Sequence, residues 1–175
     1  ITGAAQGIGL AIAKRFLEEE ANVVGADING PALVECKESL PNTNRFRGVV
    51  LDITNYADVA GVVEQVNNEL GGIDVLVNNA GWDVPVQFVE STPEFWQKVI
   101  AVNLYGPLNM QHRVVPLMLA AGGGRIINIA SDAGRVGSSG ESIYSACKGG
   151  TIAFTKTLAR ETARGNIRVN CVCPG

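Results

Sequence analysis

The chain has 175 residues, about the length of one domain, and 46% of them are hydrophobic, enough for a substantial buried core. A net charge of −3, an isoelectric point of about 5.2 and basic residues scattered without a patch argue against a nucleic-acid partner. No apolar run reaches the ~18 residues that span a bilayer, so no membrane partner is expected.

Ile1 and Thr2 read as the last residues of a first strand and run straight into a glycine-rich turn. Residues 7–20 read as a helix with Ile8, Ala11, Ile12 and Phe16 on one face. Asn22 to Asp27 is a second strand, 31–39 a helix and Arg45 to Leu51 a third strand. Residues 55–70 form an amphipathic helix through Val59, Val62, Val63 and Val66, and Ile73 to Val77 is a buried strand. A long helix covers 92–120, with breaks expected near Pro107 and Pro116. Arg125 to Ala130 is a strand, 142–163 a helix and Ile167 to Val172 the last strand.

Short apolar runs alternating with helical patterns are the mark of βαβ units. The expected fold is α/β, a doubly wound (Rossmann-type) parallel sheet with helices on both faces. In the order 3-2-1-4-5-6 the first strand is central, yet here it is almost absent. Ile1 is not a Met, and the chain stops at Pro174-Gly175 just after an apolar run. The expectation is therefore one dinucleotide-binding domain over 1–175, cut at both ends from a longer protein.

Cys36, Cys147, Cys171 and Cys173 show no C-x-x-C spacing, and His112 is the only histidine. Neither a metal site nor a disulfide framework is expected, and a reducing cytoplasm is the simplest compartment. His112 reads as a surface or packing residue, and Cys171 and Cys173 as small buried hydrophobes on one strand face.

Gly3-Ala4-Ala5-Gln6-Gly7-Ile8-Gly9 lies between a strand end and a helix start. Glycines permit the tight turn, and the helix N-terminus offers open N–H groups and a positive dipole end to a pyrophosphate. Asp27 closes the second strand. It either accepts hydrogen bonds from an adenosine ribose and repels a 2′-phosphate, or caps the next helix. No Arg or Lys follows it and Gln6 is neutral, which favours NAD over NADP. Asp52 is placed either to meet the adenine edge or to cap the 55–70 helix.

Tyr144 and Lys148, four apart on a helix, bring a phenol and an ammonium to within about 5–6 Å at Cβ. A free tyrosine titrates near pH ~10. An ammonium ~4 Å away at an effective dielectric of ~20 would favour the phenolate by up to ~4 kcal/mol, roughly three pKa units. Ser131 lies thirteen residues upstream of Tyr144.

The glycine turn, Asp52-Ile53, Asn78-Asn79-Ala80-Gly81, Asn103, Ser131, Tyr144, Lys148 and Pro174-Gly175 follow one another in an order that resembles the short-chain dehydrogenase/reductase family. The resemblance covers the whole chain. It implies that Tyr144 is the general acid/base and that Lys148 depresses its pKa and holds the nicotinamide ribose. It implies that Ser131 orients the substrate oxygen and that Asn103 holds a water linking Lys148 to solvent. Asn78 would tie neighbouring strands. Gly3, Gln6, Gly7, Ile8, Gly9, Asp27, Asp52, Ile53, Asn79, Ala80, Gly81, Pro174 and Gly175, with Tyr144 and Lys148, would contact the cofactor. Dimers or tetramers through the helices at 92–120 and 142–163 are implied in the same way.

Gly81-Trp82-Asp83 and the stretch from Ser131 through Gly150 resemble, within that family, the 2-hydroxycyclohexanecarboxyl-CoA dehydrogenases, which implies oxidation of a ring hydroxyl with NAD. The expected substrate is thus a small secondary alcohol of the hydroxyacyl-CoA type. A 3-oxoacyl-thioester reductase preferring NADPH is the alternative enzyme, and a non-catalytic dinucleotide-binding protein the alternative of another class. Trp82 and Asp83 either line the substrate pocket or are a packed Trp and a solvated Asp. Arg135 either meets an acidic group of a CoA ester or is a surface arginine. Trp96 reads as packing, and Gly149-Gly150 as a place of close approach.

Overall fold

The computed structural model describes all of residues 1–175. Five strands, β1 (Val23–Asp27), β2 (Phe46–Val50), β3 (Val75–Asn78), β4 (Gly124–Ile129) and β5 (Ile167–Val172), alternate with helices. The helices are α1 (Gly7–Glu18), α2 (Gly30–Glu38), α3 (Tyr56–Leu70), α4 (Pro93–Ile100), α5 (Gly106–Ala120), α6 (Ala133–Val136) and α7 (Ser142–Glu161).

Every pairing is parallel: β1 with β2, β3 with β4, and β4 with β5. Thr2 sits between the two groups of strands. It bridges to Ala26 in β1, and its N–H donates to the Val77 carbonyl of β3 at 3.0 Å. The spatial order is therefore β2, β1, Ile1-Thr2, β3, β4, β5, which is the order expected from the sequence. Below Thr2 the facing edges of β1 and β3 do not meet. A cavity of about 300 Å³ lies there, lined mostly by apolar side chains such as Phe16, Val23, Val63, Val75 and Met110.

The larger core packs α3 and α5 against the sheet through Val59, Val63, Met110, Val114, Met118, Leu76 and Ile126. A second core under α1 and α2 joins Ala13, Leu17, Leu33, Leu40 and Phe46. Burial alternates along β4 and β5, with the β-branched Ile126, Ile167 and Val169 on the buried face and Arg125, Arg168 and Asn170 exposed.

Two expectations are corrected. In α1 the buried face is Gly9, Ala13 and Leu17, while Ile8 and Ala11 are exposed. The cause is Gly9, which lies so close to the turn that a Cβ there would meet the Gly3 carbonyl oxygen at 2.0 Å. The helix is rotated to put its missing side chain, not its first isoleucine, inward. Second, of the two breaks expected in the helix over 92–120, only the one near Pro107 is found: a π-helical turn at Ala101–Tyr105 joins α4 to α5, and Pro107 lies in the first turn of α5. Pro116 is carried inside α5 without a break.

Candidate active site

The glycine turn is fastened to the end of β3 by a small hydrogen-bond cluster. Thr2 Oγ1 accepts from the N–H groups of Asn79 and Ala80 at 3.0 and 3.1 Å. The Asn79 amide donates to the carbonyls of Thr2 and Gly3, both at 3.1 Å. Gly3 has φ +63°, and a Cβ there would lie 2.9 Å from the Ala80 Cα. Gly7, with φ +55°, has open space on its side-chain face. The N-cap residue Gln6 is exposed and makes no side-chain cap, so nothing of the protein's own side chains fills the α1 N-terminus. This glycine-lined cradle at an uncapped helix end fits a dinucleotide pyrophosphate.

Asp27 does not cap α2; Asn29 does, accepting from Ala32 N–H at 3.1 Å. The Asp27 carboxylate instead takes the N–H groups of Ala5 (3.1 Å) and Asn29 (3.0 Å), standing at the rim of the turn. Asp52 is not the cap of α3 either. It holds Thr54 through both the N–H and the hydroxyl, while Asn55 caps the helix. The side chain of Ile53 is buried in the core against Gly106, so it is not free to touch a cofactor. The half-exposed Ile8 remains at the helix mouth.

Across the sheet, β4 runs into Ser131, and α7 carries Tyr144 and Lys148. Lys148 is buried, and its Nζ donates to the Ile129 carbonyl at 2.9 Å and stands 5.4 Å from the centre of the Tyr144 ring. Burial lowers the Lys148 pKa, opposed by nearby Cys147 and Cys171. A Cβ on Gly81 would lie 2.9 Å from Asn103 Oδ1 and 3.6 Å from Lys148 Nζ, so this glycine lets backbone pass beside both. Ser131 Oγ accepts from Ala133 N–H at 3.1 Å, and Pro174 accepts from Asp132 N–H at 2.8 Å. Gly175 is exposed, with open space at its side-chain position. Ser131, Tyr144, Lys148, Asn103 and Gly81 are thus brought to one end of the sheet.

The electrostatics differ from expectation. Tyr144 is raised above the ordinary tyrosine pKa, first by burial and then by the carboxylates of Glu141 and Asp83; the Ser131 hydroxyl pulls it down. The net direction is upward although the Lys148 ammonium stands 5.4 Å from the centre of the Tyr144 ring. Asp83 is itself raised by burial and by Glu141, with a hydrogen bond from Val84 opposing. The Asn103 side chain is also spent differently. Its amide donates to the carbonyls of Trp82 (2.6 Å) and Val99 (2.9 Å), and its oxygen accepts from Trp82 N–H at 3.2 Å. It pins the loop after β3 to the π-turn.

Trp82 packs against Phe95, with Lys98 Nζ 3.7 Å over its ring. Trp96 is a packing residue, stacked on Phe88 and bonded to Ser91. His112 meets Tyr56 Oη on the exposed side of α5. Arg135 pairs with Asp132 at 3.1 Å on the surface. No group of three or more His, Cys, Asp or Glu side chains gathers in a way that holds a metal, and no helix is long and apolar enough to cross a membrane.

Sequence reasoning missed a buried amide network beneath the site. Asn128 donates to Gln111 Oε1 (3.1 Å) and Thr155 Oγ1 (2.9 Å) and accepts from Asn78 at 2.9 Å. Asn78 does tie β3 to β4, but through a hub that also reaches α5 and α7. The signal was present as a polar residue at an inward position of an otherwise apolar strand. Gly134 was missed as well: a Cβ there would lie 2.6 Å from the Lys148 carbonyl carbon.

The family model for short chain dehydrogenases matches residues 1–175. The chain is 44% identical over 178 residues to the 3-oxoacyl-(acyl-carrier-protein) reductase of Thermotoga maritima, covering all of this chain and 72% of that protein. It is 41% identical to the acetoacetyl-CoA reductase of Paracoccus denitrificans, covering all of this chain and 71% of the relative. A crystal structure of NAD+-bound xylitol dehydrogenase superposes with a TM-score of 0.94 at 36% identity, over 99% of this chain and 68% of that one.

Proposed function

The chain belongs to the short-chain dehydrogenase family and is an oxidoreductase, and from that premise we propose that it moves a hydride between NAD and a secondary alcohol or ketone of the hydroxyacyl-CoA type. Residues 1–175 act in this reading as one dinucleotide-binding catalytic unit, paired into dimers or tetramers through α4–α5 and α7. The observation that carries the proposal is the convergence of Ser131, Tyr144 and buried Lys148 at the end of the sheet that also carries the glycine cradle.

Gly3, Gly7, Gly9 and the α1 N-terminus hold the pyrophosphate, with Gln6 and Ile8 at the mouth. Asp27 takes the adenosine ribose hydroxyls and disfavours a 2′-phosphate, so NAD is the coenzyme. Asp52 and the Ile53 main chain border the adenine. Asn79, Ala80 and Gly81 line the middle, and Pro174-Gly175 the nicotinamide end. The dinucleotide, when bound, supplies the hydride acceptor or donor. Ser131 donates a hydrogen bond to the substrate oxygen. Tyr144 passes a proton to that oxygen in reduction and removes it in oxidation. Lys148 holds the nicotinamide ribose and steadies the Tyr144 oxygen as charge develops. Asn103 keeps Trp82 and Gly81 against the site.

Gly81-Trp82-Asp83 and the 131–150 stretch support 2-hydroxycyclohexanecarboxyl-CoA as the substrate. Relatives named as 3-oxoacyl-(acyl-carrier-protein) and acetoacetyl-CoA reductases support a second reading, reduction of a linear 3-oxoacyl thioester. Turnover of the cyclic and linear thioesters with NAD and NADP separates the two. Tyr144→Phe tests the core of the proposal: turnover falls by about 10³-fold or more while NADH binding persists. Turnover near that of the unaltered protein refutes it.

A further inference from the structure

Two side-chain hydrogen bonds join α7 to β4, and they start from successive residues of the strand. Asn128 Nδ2 donates to Thr155 Oγ1 at 2.9 Å, and Lys148 Nζ donates to the Ile129 carbonyl at 2.9 Å. Thr155 lies seven residues after Lys148, about two helical turns, so both look from one face of α7 toward β4. Thr155 Oγ1 also donates to the Thr151 carbonyl at 2.8 Å, and Thr151 Oγ1 to the Cys147 carbonyl at 3.0 Å, next to Lys148. Asn128 is fixed from behind. Gln111 Nε2 donates to the Pro107 carbonyl at 3.0 Å, which turns Gln111 Oε1 toward Asn128 Nδ2 and leaves Asn128 Oδ1 to accept from Asn78. Asn78, Gln111, Asn128 and Thr155 are all buried. The ladder between β3 and β4 ends at the Asn78–Asn128 pair, and the next carbonyl along β4, that of Ile129, is the one Lys148 takes.

We propose that Thr155 is a positioning residue: by fastening α7 to Asn128 it sets the Lys148 ammonium at the Ile129 carbonyl and beside the Tyr144 ring, and so governs proton transfer two helical turns away. A valine there matches threonine in shape but offers Asn128 no acceptor. Lys148 then remains the sole side-chain hydrogen bond between α7 and β4, and the helix is free to shift against the strand. A displaced ammonium gives less support to negative charge on the Tyr144 oxygen. The other titratable groups around the pair are Glu141 of α7 and Asp83 of the loop after β3 at Tyr144, and Cys147 of α7 and Cys171 of β5 at Lys148. Of these, Cys171 adjoins Thr155, and burial holds its thiol above the ordinary cysteine range, so it stays uncharged with either residue. The inference rests on the assignment of Tyr144 and Lys148 to the proton-transfer site.

The test follows kcat against pH for NAD-linked oxidation of 2-hydroxycyclohexanecarboxyl-CoA or 3-hydroxybutyryl-CoA, whichever turns over faster, in Thr155→Val, Thr155→Ser and Thr162→Val. Thr162 is the control: it is buried at the C-cap of α7, and its Oγ1 donates to the Leu158 carbonyl at 2.8 Å with no link to β4. Thr155→Val lowers kcat by about tenfold or more and moves the alkaline limb to higher pH by about half a unit or more. Thr155→Ser keeps the hydroxyl, holds kcat within about threefold and leaves the limb in place. Thr162→Val lowers Tm without moving the limb. Thr155→Ala removes the same hydroxyl and takes the place of the valine variant if that one does not fold. An unmoved limb on loss of the Thr155 hydroxyl, a serine variant as impaired as the valine one, or an equal shift in Thr162→Val overturns the inference. Turnover of neither thioester, or a fully active Tyr144→Phe protein, refutes the underlying functional reading instead.

Discussion

Gly134→Ala is the sharpest mechanical test of how the site is held. Gly134 is the second residue of α6, and an ideal Cβ there would lie 2.6 Å from the Lys148 carbonyl carbon, 2.7 Å from the Gly149 nitrogen and 2.9 Å from the Lys148 Cβ. Two of the three are backbone atoms of α7, so no flexible side-chain end can yield. Restoring an ordinary contact distance requires α6 to retreat by about 0.8 Å. Ala133 N–H is bonded to Ser131 Oγ, so the retreat carries Ser131 away from Tyr144. Misplacing a reacting group by ~1 Å costs about 10²-fold in rate. Overpacking of this kind destabilises by about 1–3 kcal/mol, and each kcal/mol lowers Tm by about 2–4 °C at this chain length. The assay is steady-state kcat with NADH affinity from fluorescence and Tm from calorimetry. The expected result is a loss of about two orders of magnitude in kcat with a smaller loss of NADH affinity, because the glycine cradle is remote from α6 while Lys148 borders it. Gly149→Ala is the milder companion, since its Cβ would stand 3.2 Å from the Gly134 carbonyl oxygen. A folded Gly134→Ala protein with kcat within about threefold of the unaltered protein would refute the reasoning.

Other expectations follow from the same geometry. Because Tyr144 is raised by burial and by Glu141 and Asp83, alcohol oxidation, which needs the phenolate, climbs with pH on an alkaline limb while ketone reduction falls along it. Glu141→Gln removes an anion that opposes the phenolate, so pH–rate profiles should show that limb moved toward lower pH; an unmoved or raised limb is inconsistent with this electrostatic account. Asp27→Ala should reduce the preference for NAD over NADP, measured as a kcat/KM ratio, by about tenfold or more, and an unchanged ratio would remove Asp27 from ribose recognition. Gly61 lies inside α3, exposed and with nothing within 4 Å of its side-chain position, so Gly61→Ala should stabilise by about 0.5–1 kcal/mol and raise Tm with kcat unchanged.

The strand order was legible because each strand is bounded by turn residues and separated by a helical pattern, and parallel crossovers leave few arrangements. The convergence of Ser131, Tyr144 and Lys148 was legible from spacing once Asn103 and the glycine turn supplied context. The face of α1 was not, because hydrophobicity ranks Ile8 above Gly9, whereas closeness to Gly3 ranks them the other way. The π-turn around Asn103 has no periodic signature, since one inserted residue is lost in the pattern of α4 and α5. The electrostatics of Tyr144 were not legible for a related reason: spacing brings Lys148 near, but burial of the phenol and the Glu141 and Asp83 carboxylates, which push it up, are supplied only by the fold. The amide hub at Asn128 joins residues 50, 27 and 17 positions apart, beyond the reach of any local motif.

The two halves of the site are anchored unequally. Ser131, Tyr144 and Lys148 stand on elements locked together by the buried amides of Asn78, Asn128 and Gln111. The loops carrying Asp83 and Glu141 are joined by a main-chain hydrogen bond from Val86 to Gly140 at 2.8 Å, which is indifferent to side-chain identity. Exchange of those loop sequences therefore leaves the deeper amides undisturbed. New alcohols can be acquired by redrawing a rim of about a dozen residues while the proton-handling machinery is inherited intact.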